Sequence, residues 1–236
     1  MISRFILKIK RKENAFYSFL YDFAKLISSF HIPSIKILHL PLYYFDYSVR
    51  ILIGRTVQML WCIPLFKARC RTVGRNLRLP NGMPLIVGHH LNIYLGDNVC
   101  IMRSTIGASK VFDSPVLRIG NNSGIGYGTT MSIAKEIIIG DNCMIGPHCL
   151  IMDNDDHPIN PQKRLNGEPI NPEDAHTTRI GNNVWIGSNS VVLKGVTIGD
   201  NSVIGAHSVV TKNVEANCVY SGYPARPTMR NIDKIN

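Results

Sequence analysis

The sequence is short of acids, of tryptophan and of any clean, long apolar run, and its six cysteines carry no pairing signal. Its 236 residues hold 16 Asp and Glu against 26 Lys and Arg, a net charge of +10, with only two tryptophans. The missing acids are missing from one end. Residues 1–80 contain 14 basic residues and three acids (Glu13, Asp22, Asp46), whereas residues 81–236 contain 12 and 13. The basicity therefore belongs to the N-terminal part. There it is mixed with apolar faces and no nucleic-acid motif accompanies it, so nucleic acid is not an expected partner. Cys62, Cys70, Cys100, Cys143, Cys149 and Cys218 form no C-x-x-C pair and have no zinc-finger spacing to histidine, which points to reduced cytoplasmic thiols. Cys143 and Cys149, six apart, read as small apolar fillers. The first 13 residues alternate apolar and basic positions without an apolar h-region, so no secretory signal is expected. The apolar stretch Val49–Phe66 is too short and too interrupted by Arg50, Arg55 and Gln58 to span a bilayer comfortably.

Helical period and strand alternation are also missing from the C-terminal half; a period of six replaces them. In residues 178–212, Ile180, Ile186, Val192, Ile198, Ile204 and Val210 stand in one phase. Gly181, Gly187, Gly199 and Gly205 follow four of them, and small polar residues such as Asn182, Asn183, Asn189, Asp200 and Asn201 fill the spaces. A short strand plus a tight turn consumes six positions, so three units close one triangular coil of 18. The aliphatic residue points into the prism and stacks on its equivalents, and each coil depends on its neighbours. Gly and Asn suit the corners because they tolerate unusual φ.

Taken in order, residues 14–30 predict an amphipathic helix, with Phe16, Phe19, Leu20, Phe23, Leu26, Ile27 and Phe30 on one side and Pro33 as its stop. A second apolar stretch, Ile35–Tyr47, is expected to break at Pro41. Two readings compete for residues 1–70: an anchor on an anionic membrane surface, with Lys8, Lys10, Arg11, Lys12, Arg55, Lys67, Arg69 and Arg71 near lipid headgroups, or a helical cap packed on the solenoid or another subunit. The solenoid, residues 71–236, starts with irregular coils in which Leu79, Leu85, Leu95 and Ile101 are the expected inward residues. A loop at Ala108–Leu117 interrupts it. The pattern returns at Ile119 and Ile125, then continues through Ile133, Ile139, Ile145 and Ile151, shifted by two.

The repeat breaks between Ile151 and Ile180, whose separation is no multiple of six. A long excursion in a tight solenoid points to function. This loop, 152–179, is rich in Pro and Asn and is expected to leave the prism. Its one side chain suited to proton transfer near neutral pH is His157, preceded by Asp153, Asp155 and Asp156, any of which can orient it; Glu168 is a further polar candidate. A calcium loop beginning at Asp153 is excluded, because the sixth place is Pro158 and the twelfth Arg164.

The stretches LIMDNDDHPINPQKRLNGEPI, TRIGNNVWIGSNSVVLKGVTIGDNSVIGAHSVVTKNV and SGYPAR together resemble the left-handed β-helix, hexapeptide-repeat O-acetyltransferases of the galactoside, maltose and polysaccharide-sugar type, over roughly residues 75–230. The resemblance implies the fold, including its left hand, which periodicity alone does not give, and acetyl transfer from acetyl-CoA without a metal. It implies His157 as general base, with Asp156 and Asp155 as its candidate partners, and an oxyanion donor at Ser188. Trp185 would wall the site. Ala206, Thr211 and Lys212 would lie along the coenzyme, and Arg226 would meet its phosphates. It also implies a homotrimer with sites between subunits, and a sugar or glycan acceptor. Two departures stand out. Positions Thr129–Ala134 offer neither the Asn nor the Asp that sugar acetyltransferases place there, and the N-terminal appendage is more basic and aromatic than a soluble relative's cap. The second departure directs the expectation to a surface-polysaccharide or lipid-linked acceptor handled at the inner face of the plasma membrane by a cytoplasmic, peripheral enzyme. The rival readings are acetylation of a small molecule such as serine or an antibiotic, a non-catalytic β-helix scaffold, and a γ-carbonic-anhydrase-like metal site. The last is disfavoured because His148, His176 and His207 fall on different coils.

Overall fold

A computed structural model describes residues 2–234; the extreme ends of the two expected domains, residue 1 and residues 235–236, lie outside it. The chain forms two compact units, one up to Ile51 and one from Leu52 onward.

The first unit is helical. Helix α1 (Ile2–Arg11) and helix α2 (Ala15–Ser29) form a hairpin, with Asn14 capping α2 by accepting from the Tyr17 N–H at 2.9 Å. Helix α3 (Lys36–Val57) then runs through Pro41, one π-helical turn (Gln58–Cys62) and helix α4 (Ile63–Arg69) without a non-helical residue between them. The break expected at Pro41 does not occur. Proline removes one N–H near the start of a 34-residue helix, and one lost bond does not stop a segment whose other backbone groups remain paired.

The second unit takes in the part of this long helix from Leu52 onward and, after it, a parallel β-helix. Three sheets of six, seven and six strands form its sides, and adjacent strands within each sheet come from successive coils, except for the antiparallel hairpin Cys218–Gly222 with Ala225–Arg230 that ends the seven-stranded sheet. The six in-phase residues lie as the period predicts. Ile180 is in register with Ile198 in the first sheet, Ile186 with Ile204 in the second and Val192 with Val210 in the third. All six are buried. The N-terminal coils are longer. Ile93 pairs with Leu117, Ile101 with Ile125 and Ile106 with Met131, each a wider step in sequence than that from Ile180 to Ile198. The third-sheet position is held by Met131, stacked between Ile106 and Ile151, and Ile133 is buried as well two positions on. Those two positions account for the phase shift. Among the expected inward residues, Leu79, Leu95 and Ile101 are buried but Leu85 is 61% exposed. The inward neighbour is Ile86, and alternation turns Leu85 outward.

Two devices hold the corners. Asn76, Asn98, Asn122 and Asn142 stack along one edge with side-chain amides bonded in sequence at 2.8–3.1 Å, and Asn183, Asn201 and Asn217 repeat the ladder above. Every one has a left-handed φ of 55–58°, which Asn adopts more easily than other non-glycine residues. Beside them the coils nearly touch: a Cβ on Gly140 would lie 2.6 Å from the Gly181 carbonyl oxygen. Cys143 and Cys149 are buried, their thiols directed at the Gly181 and Gly187 carbonyls, and burial pushes both above the ordinary thiol value. They are packing residues without thiolate character.

Candidate active site

The break in the repeat is where the prism acquires chemistry. Ile139 pairs with Ile180, 41 positions on, where a regular coil takes only the 18 positions from Ile180 to Ile198; the excursion supplies the difference. It leaves after the strand Leu150–Met152, at the corner between the third and first sheets, and returns at Thr178. It is folded rather than simply looped out. Helix α5 (Pro161–Leu165) is capped by Asn160, and Ile170 and Ala175 are buried with Ala134 against Val111 and Phe112 of the earlier interruption. The two breaks in the repeat therefore pack on each other.

Asp153 anchors the excursion. Its carboxylate is fully buried and accepts the backbone N–H groups of Ala134, Lys135 and Glu136 at 2.6–2.7 Å, and the Asn154 amide at 2.8 Å. These donors belong to the corner where the phase shifts, so one side chain stabilises both irregularities. Asn154, also fully buried, donates to Ser132 and accepts the Asp156 N–H at 2.7 Å. Asp156 has a left-handed φ of 60° and accepts the Ser132 hydroxyl. Asp155 pairs with Lys194, one coil above. Each of the three acids is thus committed to a partner other than His157. Among the described residues none reaches the His157 ring, which is exposed at the mouth of a cleft of about 410 Å³ lined also by Ser132, Asp156, Lys110 and Glu168.

The residues expected along the coenzyme lie elsewhere on the prism. Trp185 stands on the second sheet between Met144 and Val203, half exposed. Ser188 and Ala206 occupy the corner between the second and third sheets, one coil apart, with the Ala206 N–H 2.5 Å from where a Gly187 Cβ would be. The Ser188 N–H has no partner among the described residues, while its carbonyl accepts from His207 N–H at 2.9 Å. Thr211 and Lys212 are exposed at the corner beyond Val210, directly above Leu193 and Lys194. Arg226 is exposed on the final hairpin, opposite Ser221. Within one chain, His157 is therefore a full side of the prism from Ser188, roughly 15 Å for an extended stretch of about five residues from corner to corner. The structure brings His157 together with Asp156, and Lys212 with Lys194, but it does not join His157 to Trp185, Ser188 or Ala206. Ser132, Lys110 and Asn154 escaped sequence reasoning. Only Asn154 carried a signal there, as a polar residue directly at the broken repeat.

Comparison with known proteins agrees with this architecture. Residues 177–212 match the bacterial transferase hexapeptide (six repeats), and residues 136–151 the hexapeptide repeat of succinyl-transferase. Over these two stretches the chain carries the hexapeptide repeats of bacterial transferases. It is 39% identical over 132 residues to the galactoside O-acetyltransferase of Escherichia coli K12, covering 53% of this chain and 63% of that one. It is 33% identical over 127 residues to the polysialic acid O-acetyltransferase of Neisseria meningitidis, covering 53% of each. The chain thus spans about half to three fifths of the curated relatives it matches. Among solved structures, AntD, an N-acyltransferase from Bacillus cereus in complex with dTDP and 3-hydroxybutyryl-CoA, superposes with a TM-score of 0.58 at 21% identity, over 73% of this chain and 89% of that one. A hexapeptide-repeat acetyltransferase of Vibrio cholerae complexed with acetyl coenzyme A gives 0.54 at 23%, over 85% and 92%. At such identities these two likenesses establish the fold.

Proposed function

We propose that this chain is an acetyl-CoA-dependent O-acetyltransferase that moves an acetyl group to a sugar hydroxyl, in the precursor of a surface polysaccharide or a lipid-linked glycan. The observation that carries the reading is the position of His157. It lies at the root of the one long break in the hexad pattern after Ile119, exposed in a cleft, on a backbone held by the buried Asp153 and Asn154. A rigid mount with a free imidazole is what general-base removal of a hydroxyl proton requires.

The chemistry balances simply. His157 accepts the acceptor's hydroxyl proton as that oxygen attacks the thioester carbonyl. The carbonyl oxygen gains negative charge near the Ser188 N–H. The C–S bond then breaks, the coenzyme thiolate takes the proton, and the ester remains on the sugar. Because His157 and Ser188 sit on different corners, the reading requires two copies: the His157 corner of one faces the Ser188 corner of its neighbour, which a threefold ring of prisms provides. Lys212 and Arg226, both exposed, are suited to the coenzyme phosphates. The basic N-terminal part supports a location on the inner face of the plasma membrane, within reach of lipid-linked acceptors.

Free-thiol release from acetyl-CoA, measured with a panel of nucleotide sugars and lipid-linked oligosaccharides, tests the reading. An acceptor-dependent signal that His157→Ala reduces by about 10²–10⁴-fold, with the fold unchanged by circular dichroism, is expected. Retention of wild-type turnover in that variant removes His157 from the reaction.

A further inference from the structure

Acetyl transfer leaves the long helix Lys36–Arg69 without a purpose. It is 34 residues long and only 6% of its most apolar window is buried, so it is not the core helix of a soluble domain. Thirteen of its large apolar and aromatic side chains are more than half exposed, among them Phe45, Leu52, Met59 and Leu60. An ordinary monomer scatters its exposed apolar side chains singly or gathers them in a patch of about 300–600 Å², and thirteen on one helix is neither pattern. The surface has direction. Lys36, His39, Tyr43, Asp46, Arg50, Gly54 and Gln58 follow one another at three- and four-position spacings along one stripe, with Arg50 paired to Asp46 at 2.7 Å. Leu38, Leu42, Phe45, Val49, Leu52, Thr56 and Leu60 follow the same spacing on the other side, apolar at every place but Thr56. By length and composition the helix is long and apolar enough to cross a membrane, but a crossing helix must bury a charged stripe against other helices or a cavity, whereas a surface-bound one turns it to water.

The preceding hairpin has the matching character. Helix α2 exposes Phe16, Phe19 and Phe23, with Phe30 exposed at its C-cap, and α1 carries Lys8, Lys10 and Arg11 in its last turn. Between the two helices runs an apolar groove of about 410 Å³, lined by Ile6, Ile9, Tyr21 and Ala24 with Lys10 and Lys25 at its rim. Aromatic faces beside cations suit the boundary where acyl chains meet anionic headgroups.

We infer that the helix Lys36–Arg69 lies in the plane of an anionic phospholipid bilayer with its Leu38–Leu60 face in the acyl region, and does not cross it. This deepens the membrane location proposed above and is independent of whether acetyl transfer occurs. The purified full-length protein is tested by flotation with phosphatidylcholine vesicles containing phosphatidylglycerol, at low salt and at 1 M salt, a concentration that cuts the Debye length to about 3 Å. Flotation that persists in high salt, and that falls at least tenfold in the double variant Leu52→Asp, Leu60→Asp, is expected. The double variant keeps the wild-type circular dichroism of the β-helix and its thiol release on soluble sugars. Loss of wild-type flotation at 1 M salt means that charge alone holds the protein and overturns the inference. So does a soluble oligomer that ignores vesicles, which means that a second copy covers this face. Protection of the segment before Lys36 from protease added outside sealed vesicles means a crossing helix and overturns it too. If flotation behaves as expected while no acceptor releases thiol, the acetyl-transfer reading fails and this one stands.

Discussion

At the scale of single residues, the order of the candidate site rests on buried groups. Asp153 neutralises three corner N–H groups that would otherwise be buried without partners. Asp153→Ala therefore costs on the order of 3 kcal/mol and loosens the excursion, read as an earlier thermal transition and faster proteolysis within 155–175. Ser188 allows a cleaner probe. Its equivalent one coil below is Pro147, following Gly146 as Ser188 follows Gly187, so a proline is already accommodated at this corner. Ser188→Pro deletes the N–H together with the hydroxyl, and Ser188→Ala, which deletes the hydroxyl alone, is its control; in the proline variant the melting temperature stays at the wild-type value while kcat falls about 10²–10³-fold, and in the alanine variant both stay near wild type. A third residue responds to pH. Hydrogen bonds from Arg75 hold the Asp97 carboxyl below its ordinary value of 3.8. A depressed folded value contributes stability above the ordinary value and loses it as pH falls through the folded one. The stability gap between wild type and Asp97→Asn, followed by denaturant titration, therefore closes as pH drops below 3.8.

At the scale of elements, the hexads were legible because one physical rule repeats: an inward aliphatic residue, a tight corner, and backbone bonds to the coil above. Ile186, Val192 and Ile204 needed nothing else to be placed. Ile186→Ala should cost about 2–5 kcal/mol in a thermal or denaturant melt, since its neighbours Ile145 and Ile204 are fixed by their own coils and cannot collapse into the gap. Legibility declined where a second rule interfered. Period alone turns Leu85 inward, yet in the longer N-terminal coils the register moves and Ile86 turns in. The excursion was legible as a break but not as a structure. Its order comes from Ile170, Ala175, Val111 and Phe112, and the two segments that supply them are not periodic and lie far apart in sequence. The same holds for Lys194 and Asp155, 39 positions apart, and for Ser132 and Asp156, 24 apart. Pro41 misled in the opposite direction, since a single missing donor does not end a long helix.

At the scale of the whole molecule, the β-helix sets His157 and Ser188 on different corners, and the proposed reaction requires that copies meet. Sedimentation should show a trimer. Its dissociation should abolish thiol release even though each chain keeps its own coils. Mixed trimers test this most directly, from equal amounts of His157→Ala and Ser188→Pro chains co-assembled by co-expression. Each variant alone lacks one half of every site. In random mixtures, the His157 of one chain meets the intact Ser188 corner of another at roughly a quarter of the interfaces. The account predicts that acceptor-dependent thiol release, nearly absent in either parent, returns in the mixture to roughly that fraction of the wild-type rate. A mixture as inactive as its parents contradicts a site shared between subunits.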